Sequence, residues 1–179
     1  MPVTSAGLLL YRDLRQMRGL EVFIGHMGGP FWARKQAGAW SIPKGEFTAE
    51  DPLAAARREF AEEIGAPPPE ADAIDLGAFR YSSGKTVRVF ACRAPDFEID
   101  EVRSNTFEVE WPPRSGRRQV FPEIDEARWT PVFEARELLT TGQRPALDAL
   151  LAALDGSADG SPDGSPGSAP GAASDGSPE

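Results

Sequence analysis

One cysteine (Cys92) and one histidine (His26) are all that this 179-residue chain contains of either type. That shortage removes several classes of protein. A disulfide framework needs paired cysteines and a structural zinc site needs a set of Cys and His ligands, so neither is available. A Ser-His-Asp triad would depend on His26 alone, and no nucleophile signature accompanies it; as the end of an apolar stretch, His26 reads as a turn or hydrogen-bonding residue. Cys92 lies in the apolar run VRVFACR and reads as a buried strand residue. Long apolar runs are also missing. The opening MPVTSAGLLLYRD has no basic start and is stopped by Arg12 and Asp13, and nothing approaches the ~20 apolar residues of a membrane span. The expectation is a cytoplasmic protein with no membrane partner.

Positive charge is scarce as well. Lys and Arg number 19 against 28 Asp and Glu, a net charge of −9. Five of those acids (Asp155, Asp159, Asp163, Asp175 and Glu179) fall in the terminal stretch DGSADGSPDGSPGSAPGAASDGSPE, which leaves −4 for the rest. That stretch has no aromatic, no branched apolar residue and no base, so it cannot bury enough surface to offset the entropy of ordering. It reads as a disordered tail over residues 155–179, behind a single domain over residues 1–154. A mildly acidic domain is not built to grip a nucleic-acid backbone, and no stable nucleic-acid partner is expected. Nucleotides are not excluded, because metal ions can bridge acidic side chains to phosphates.

The most informative stretch is GEFTAEDPLAAARREFAEEIG, from Gly45 to Gly65. Asp51 reads as an N-cap, Pro52 as the first helical residue and Gly65 as the residue past the end. On the helix between them Leu53, Ala56, Phe60 and Ile64 form the stripe that a core would bury. Glu59, Glu62 and Glu63 share a neighbouring face at i, i+3, i+4. Carboxylates so spaced repel each other by a few tenths of a kcal/mol, roughly 0.2–0.5 per pair. Two of them also occupy the last turn, where the helix dipole favours cations. A solvated acidic face is one reading of this pattern. The other is a hard divalent cation such as Mg²⁺, which takes carboxylate oxygens and shares its shell with substrate phosphates.

The same stretch resembles the Nudix box, G-x5-E-x7-R-E-U-x-E-E-x-G-U with U a bulky apolar residue. Gly65, Glu63, Glu62, Phe60, Glu59, Arg58 and Glu50 fall in register. Gly45 stands one residue too close to Glu50, and Ala66 is small for the last U. The resemblance is to Nudix hydrolases of the nucleoside triphosphate pyrophosphohydrolase type. It implies an α/β/α sandwich with a mixed β-sheet, and metal-dependent (Mg²⁺ or Mn²⁺) hydrolysis of a nucleoside diphosphate linked to another moiety. Glu59, Glu62 and Glu63 would be metal ligands, with the Gly45 carbonyl completing a site, and Arg58 would pair with Glu50 to brace the loop against the helix. The general base is left open. Glu123, six residues before Trp129, resembles the remote metal-approaching Glu of diadenosine polyphosphate hydrolases, with Glu108 and Glu110 as competitors. The substrate would be a nucleotide or other pyrophosphate compound, with nucleoside triphosphates and dinucleoside polyphosphates favoured. The alternative is a non-catalytic nucleotide-binding regulator on the same fold. A calcium-binding helix–loop module is set aside, since no D-x-D-x-D-G loop is present.

Phosphates need cations, and Lys44, Arg114, Arg117 and Arg118 are candidates, with Arg34 and Lys35 as another choice. Trp40, Trp32, Phe31 or Trp111 are candidates to stack a base or to be core. The remaining chain reads as a hairpin over 4–12 and 20–26, a Gly- and aromatic-rich loop, and strands at 74–81 and 86–93 joined by Ser82-Ser83-Gly84. TFEVEW then reads as a strand, WPPRSGRR as a basic loop and Glu126–Trp129 as the start of a last strand. Helices are expected at VFEARELL and from Arg144 to Leu154. Strands, a helix, more strands and a helix pair suit a mixed sheet between helices. The sequence is silent on oligomeric state.

Overall fold

A computed structural model describes residues 4–14 and 19–158. Strands β1 (Thr4–Leu14) and β2 (Gly19–Met27) form the expected hairpin, with Tyr11 opposite Val22. Short strands β3 (Trp40–Ser41) and β4 (Lys44–Glu46) lead into helix α1 (Pro52–Ile64). Next come β5 (Ala73–Arg80) and β6 (Thr86–Arg93), then β7 (Thr106–Glu110), β8 (Arg118–Pro122) and β9 (Ile124–Pro131). Helix α2 (Val132–Leu138), a 3-10 turn at Thr141–Gln143 and helix α3 (Arg144–Ala158) close the described chain.

The main sheet runs β3-β2-β1-β6-β5, with β4 paired to β1 and β9 to β2. It is mixed, because β1 lies antiparallel to β2 and β4 but parallel to β6. Alternation along β1 sends Leu8 and Leu10 to one face and Leu9 and Tyr11 to the other, so each face carries its own core. One core joins Leu8 and Leu10 to Phe60 and Ile64 of α1. The other joins Leu9 to Leu147 and Leu150 of α3. This is the expected sandwich of helices on a mixed sheet. Strands β7 and β8 stand apart from it as a two-stranded hairpin.

Helix α1 begins and ends where its local chemistry dictates. The Asp51 carboxylate accepts the N–H groups of Leu53 and Ala54, both at 3.0 Å. Gly65 adopts φ 85°, a left-handed conformation that glycine takes without steric cost, and its N–H closes on Ala61. Phe60 is fully buried, and removing such a side chain from water stabilises by roughly 1.5–3 kcal/mol.

Two expectations are corrected. Helix α3 continues through Asp155–Ala158, so the start of the proposed tail is helical; the rest of it, 159–179, lies outside the described residues. The stretch after the basic loop, Arg118–Pro122, is a strand. Among the described residues no helix is long and apolar enough to cross a membrane.

Candidate active site

Helix α1 packs against β4, and Lys44, Gly45, Glu50, Arg58, Glu59, Glu62 and Glu63 gather at that junction. Arg58 is the hub. Its guanidinium donates to Glu50 at 2.5 Å, to Glu59 at 2.6 Å and to Glu62 at 3.3 Å. The brace between Arg58 and Glu50 therefore forms despite the loop being one residue short. Three carboxylates hold the Arg58 pKa above its ordinary value, the hydrogen bond that Arg58 donates to Glu50 contributing most, and the same bond holds Glu50 below the usual carboxylate range.

Gly45 lies against Glu59 so closely that a Cβ placed there would overlap the carboxylate. Only glycine leaves that space. On the next turn the half-buried Glu63 accepts the main-chain N–H of Lys44 at 2.9 Å. Burial pushes the Glu63 carboxyl up to about 7, against the opposing pull of the Lys44 ammonium. Burial likewise lowers the Lys44 pKa, which Glu63 opposes. The charge of Glu123 acts on both Glu63 and Lys44, which brings the remote carboxylate to the same junction. It is held there by its backbone, with its N–H donating to Asn105 at 2.8 Å and its carbonyl accepting from Gly28 at 2.9 Å. Asn105 in turn donates its main-chain N–H to the Glu62 carbonyl at 3.2 Å.

Glu59 and Glu62 turn toward Arg58 while Glu63 turns toward Lys44, and among the described residues no three Asp, Glu, His or Cys side chains converge on one point. The donor chemistry nevertheless suits a hard divalent ion. Three carboxylates share a helix face, Gly45 of β4 presents no side chain to Glu59, and the half-buried Glu63 has its carboxyl raised by burial.

Beside the carboxylates lies a cavity of about 410 Å³, reached by Lys44 and walled by Lys85, Tyr81, Ser82, Thr140 and Gln143. Lys85 also reaches Glu46 at 3.3 Å. The hydroxyl of Thr140 is buried without a hydrogen-bond partner, a state that costs roughly 1–3 kcal/mol and that a polar ligand would relieve, while the Tyr81 hydroxyl interacts with the Gln143 side chain. Burial pushes the Tyr81 phenol up to about 12. Gln143, itself buried, shapes this wall. Its carboxamide oxygen accepts from Ile42 N–H at 2.6 Å and its nitrogen donates to Ser41 Oγ at 2.9 Å.

Of the cations proposed from sequence, the structure brings only Lys44 to this cavity. Arg114 and Arg117 stand exposed in the loop between β7 and β8. Glu108 is paired with Arg118, and Glu110 accepts Gly116 N–H at 2.8 Å, so both are committed to the hairpin. Trp40 has no exposed surface and packs in the core; its ring offers no face to a base, which corrects its assignment as a substrate contact. His26 is buried, with its ring nitrogens 2.6 Å from Asp125 and 2.8 Å from the Lys35 carbonyl, and is structural. Sequence reasoning missed Lys85, Tyr81, Gln143 and Asn105. The turn YSSGK, with its hydroxyls and a cation, was a local hint for the first two; nothing local marks the others.

A NUDIX domain family model matches residues 2–150. An uncharacterized 17.7 kDa protein of Enterobacteria phage T4, from the e-segB intergenic region, is 35% identical over 98 residues. That match takes in 53% of this chain and 62% of the phage protein, so the chain spans less than two thirds of that relative. Among solved structures, a C. elegans Ap4A hydrolase binary complex superposes with a TM-score of 0.57 at 21% identity, covering 85% of this chain and 98% of the other. The NUDIX domain of Shewanella oneidensis NrtR, complexed with ADP ribose, gives 0.60 at 12% identity, covering 86% and 89%. A mutT/nudix family protein from Listeria innocua gives 0.58 at 18% identity, covering 88% and 97%. At these identities the structural likenesses establish a shared fold.

Proposed function

Because this chain belongs to the Nudix family, we propose that it is a pyrophosphohydrolase whose substrate is a nucleoside polyphosphate or another nucleoside diphosphate-linked compound, with Mg²⁺ or Mn²⁺ as cofactor. The observation that carries this reading is the junction of α1 and β4. There Glu59, Glu62 and Glu63 line one helix face, Gly45 leaves room against Glu59, and Lys44 links that face to a cavity that holds the unpartnered hydroxyl of Thr140. The structures of Ap4A hydrolase and of a NUDIX domain with ADP ribose are consistent with a nucleotide ligand.

Each residue then has a definable task. A pyrophosphate is anionic and repels a nucleophilic water, so the site must supply positive charge and position both reactants. Glu59, Glu62 and Glu63, with the Gly45 carbonyl, would hold the metal, which when bound neutralises phosphate charge and makes a water more acidic. Arg58 and Glu50 would fix the orientation of Glu59 and Glu62. Lys44 and Lys85 face the cavity with ammonium groups suited to phosphate oxygens. Glu123, whose charge acts on Lys44 and Glu63, would be the carboxylate that approaches from outside the helix.

The test is phosphate-product release from nucleoside triphosphates, diadenosine polyphosphates, ADP-ribose, nucleotide sugars and diphosphoinositol phosphates, with and without Mg²⁺ or Mn²⁺. Metal-dependent release that Glu63→Gln abolishes supports the reading. Nucleotide binding with no turnover of any compound overturns it in favour of a regulator.

A further inference from the structure

Helix α1 carries Glu62 and Glu63 in its last turn and has no basic residue there. A helix end leaves carbonyls without partners and bears partial negative charge, so acidic side chains at that place need compensation. The segment between β6 and β7 supplies it. Arg103 donates its main-chain N–H to the Ile64 carbonyl at 3.0 Å, and Asn105 donates to the Glu62 carbonyl at 3.2 Å. The fit is close, since a Cβ on Gly65 would stand 2.6 Å from the Arg103 Cβ. The Asn105 carboxamide also donates to the Glu62 carboxylate at 3.5 Å.

Ser104, between those two residues, ties the same segment to the start of β9. Its half-buried hydroxyl accepts the main-chain N–H of Ile124 at 3.1 Å and donates to the Asn105 carbonyl at 2.7 Å. That carbonyl in turn accepts the N–H of Glu123 at 2.8 Å. The peptide groups on both sides of the Glu123 Cα are therefore held, one through the N–H of Glu123 and the other through the N–H of Ile124. A residue has only two soft backbone dihedrals, so fixing both neighbouring peptide planes fixes the direction in which its side chain leaves. Glu123 depends on this, because its exposed carboxylate makes no hydrogen bond or ion pair among the described residues. We propose that Ser104 is a positioning residue, whose hydroxyl clamps the backbone of Glu123 to the segment that caps α1 and so holds Glu123 in one frame with Glu62 and Glu63. This rests on the pyrophosphohydrolase reading and adds to it a residue that touches neither substrate nor metal.

The experiment measures kcat, KM and calorimetric Mn²⁺ binding for the full chain and for Ser104→Ala, Ser104→Thr, Glu123→Gln and the Ser104→Ala/Glu123→Gln double variant. Loss of a group that orients metal-approaching side chains costs about 10- to 100-fold in activity or metal affinity. Ser104→Ala should lower kcat by about tenfold and weaken Mn²⁺ binding in parallel, with KM little changed. Ser104→Thr keeps the hydroxyl and should keep most of the wild-type rate. If Ser104 acts through Glu123, the double variant should be no slower than Glu123→Gln alone. A wild-type kcat in Ser104→Ala, even with a lowered thermal midpoint, overturns the proposal, as do losses that multiply in the double variant or a Ser104→Thr as slow as Ser104→Ala. If the wild-type chain hydrolyses no compound, the pyrophosphohydrolase reading fails and Mn²⁺ binding alone decides Ser104. Binding weakened by Ser104→Ala to the level of Glu123→Gln, and no further in the double variant, upholds the role. Binding that Ser104→Ala leaves unchanged, or none by the wild type, overturns it.

Discussion

The main-chain N–H of Ile42 donates to the carboxamide of Gln143 at 2.6 Å, across 101 positions of sequence. Through this bond the link between α2 and α3 grips the backbone two residues before Lys44, and Thr140 adds a second grip by donating its N–H to Trp40 at 3.0 Å. Gln143→Leu keeps the bulk and deletes both side-chain bonds, leaving a buried N–H unpaired at a cost of about 1–3 kcal/mol. A lowered thermal midpoint with a raised KM is expected, since Lys44 rides on the same segment. An unchanged KM in a destabilised variant would confine Gln143 to stability.

Gly45→Ala tests the contact with Glu59. The added methyl would occupy the place of the carboxylate, so Glu59 must turn away from its position beside Arg58. Misplacement of a reacting geometry by about 1 Å costs on the order of 100-fold. Turnover should drop by that order while the unfolding midpoint moves little, because neither core includes Gly45. Turnover within twofold of wild type would show that Glu59 has no positional demand.

Glu63 provides a pH signature. Burial places its carboxyl at about 7 in the folded chain, above the ~4.3 of an unfolded glutamate. Between those values the native chain keeps a proton that the unfolded chain has released, so this group's contribution to stability declines as pH rises through the window. Thermal midpoints taken in chelator should fall from about pH 4.5 to about 7, and Glu63→Gln should flatten that slope while lowering turnover by roughly 100-fold or more. Equal slopes in the two proteins would remove Glu63 as the source.

Much of this architecture was visible where its causes are local. Asp51, Pro52 and Gly65 bound α1 by capping chemistry, and Phe60 and Ile64 follow the helical period, so both ends were legible. The turn at Ser82-Ser83-Gly84 announced the β5–β6 hairpin in the same way. Strand β8 was not legible, because Arg118, Gln119 and Val120 are all exposed and show no alternation. The want of aromatic and branched apolar residues from Asp155 onward suggested a disordered tail starting there, yet α3 runs through Ala158. For Trp40 the sequence left base stacking and core both open, and the strand it forms with β2 places it in the core. The carboxylate face could be read because one helix carries it. The cavity could not, since Lys44, the Tyr81–Lys85 turn and Gln143 come from three separate segments.

Strand β1 pairs with β2, β4 and β6, and α1 packs its buried stripe on the residues between them. Leu9 faces Ala91 in a parallel register, so the central rib of the molecule cannot be flanked on both sides until more than half of the chain has left the ribosome. Parallel pairing over such a span is slow to close, because loop entropy is spent before any contact repays it. The carboxylate-bearing helix, although local in sequence, thus gains its bed late in synthesis. The nascent β1 edge is the part of this protein most in need of shelter while it waits.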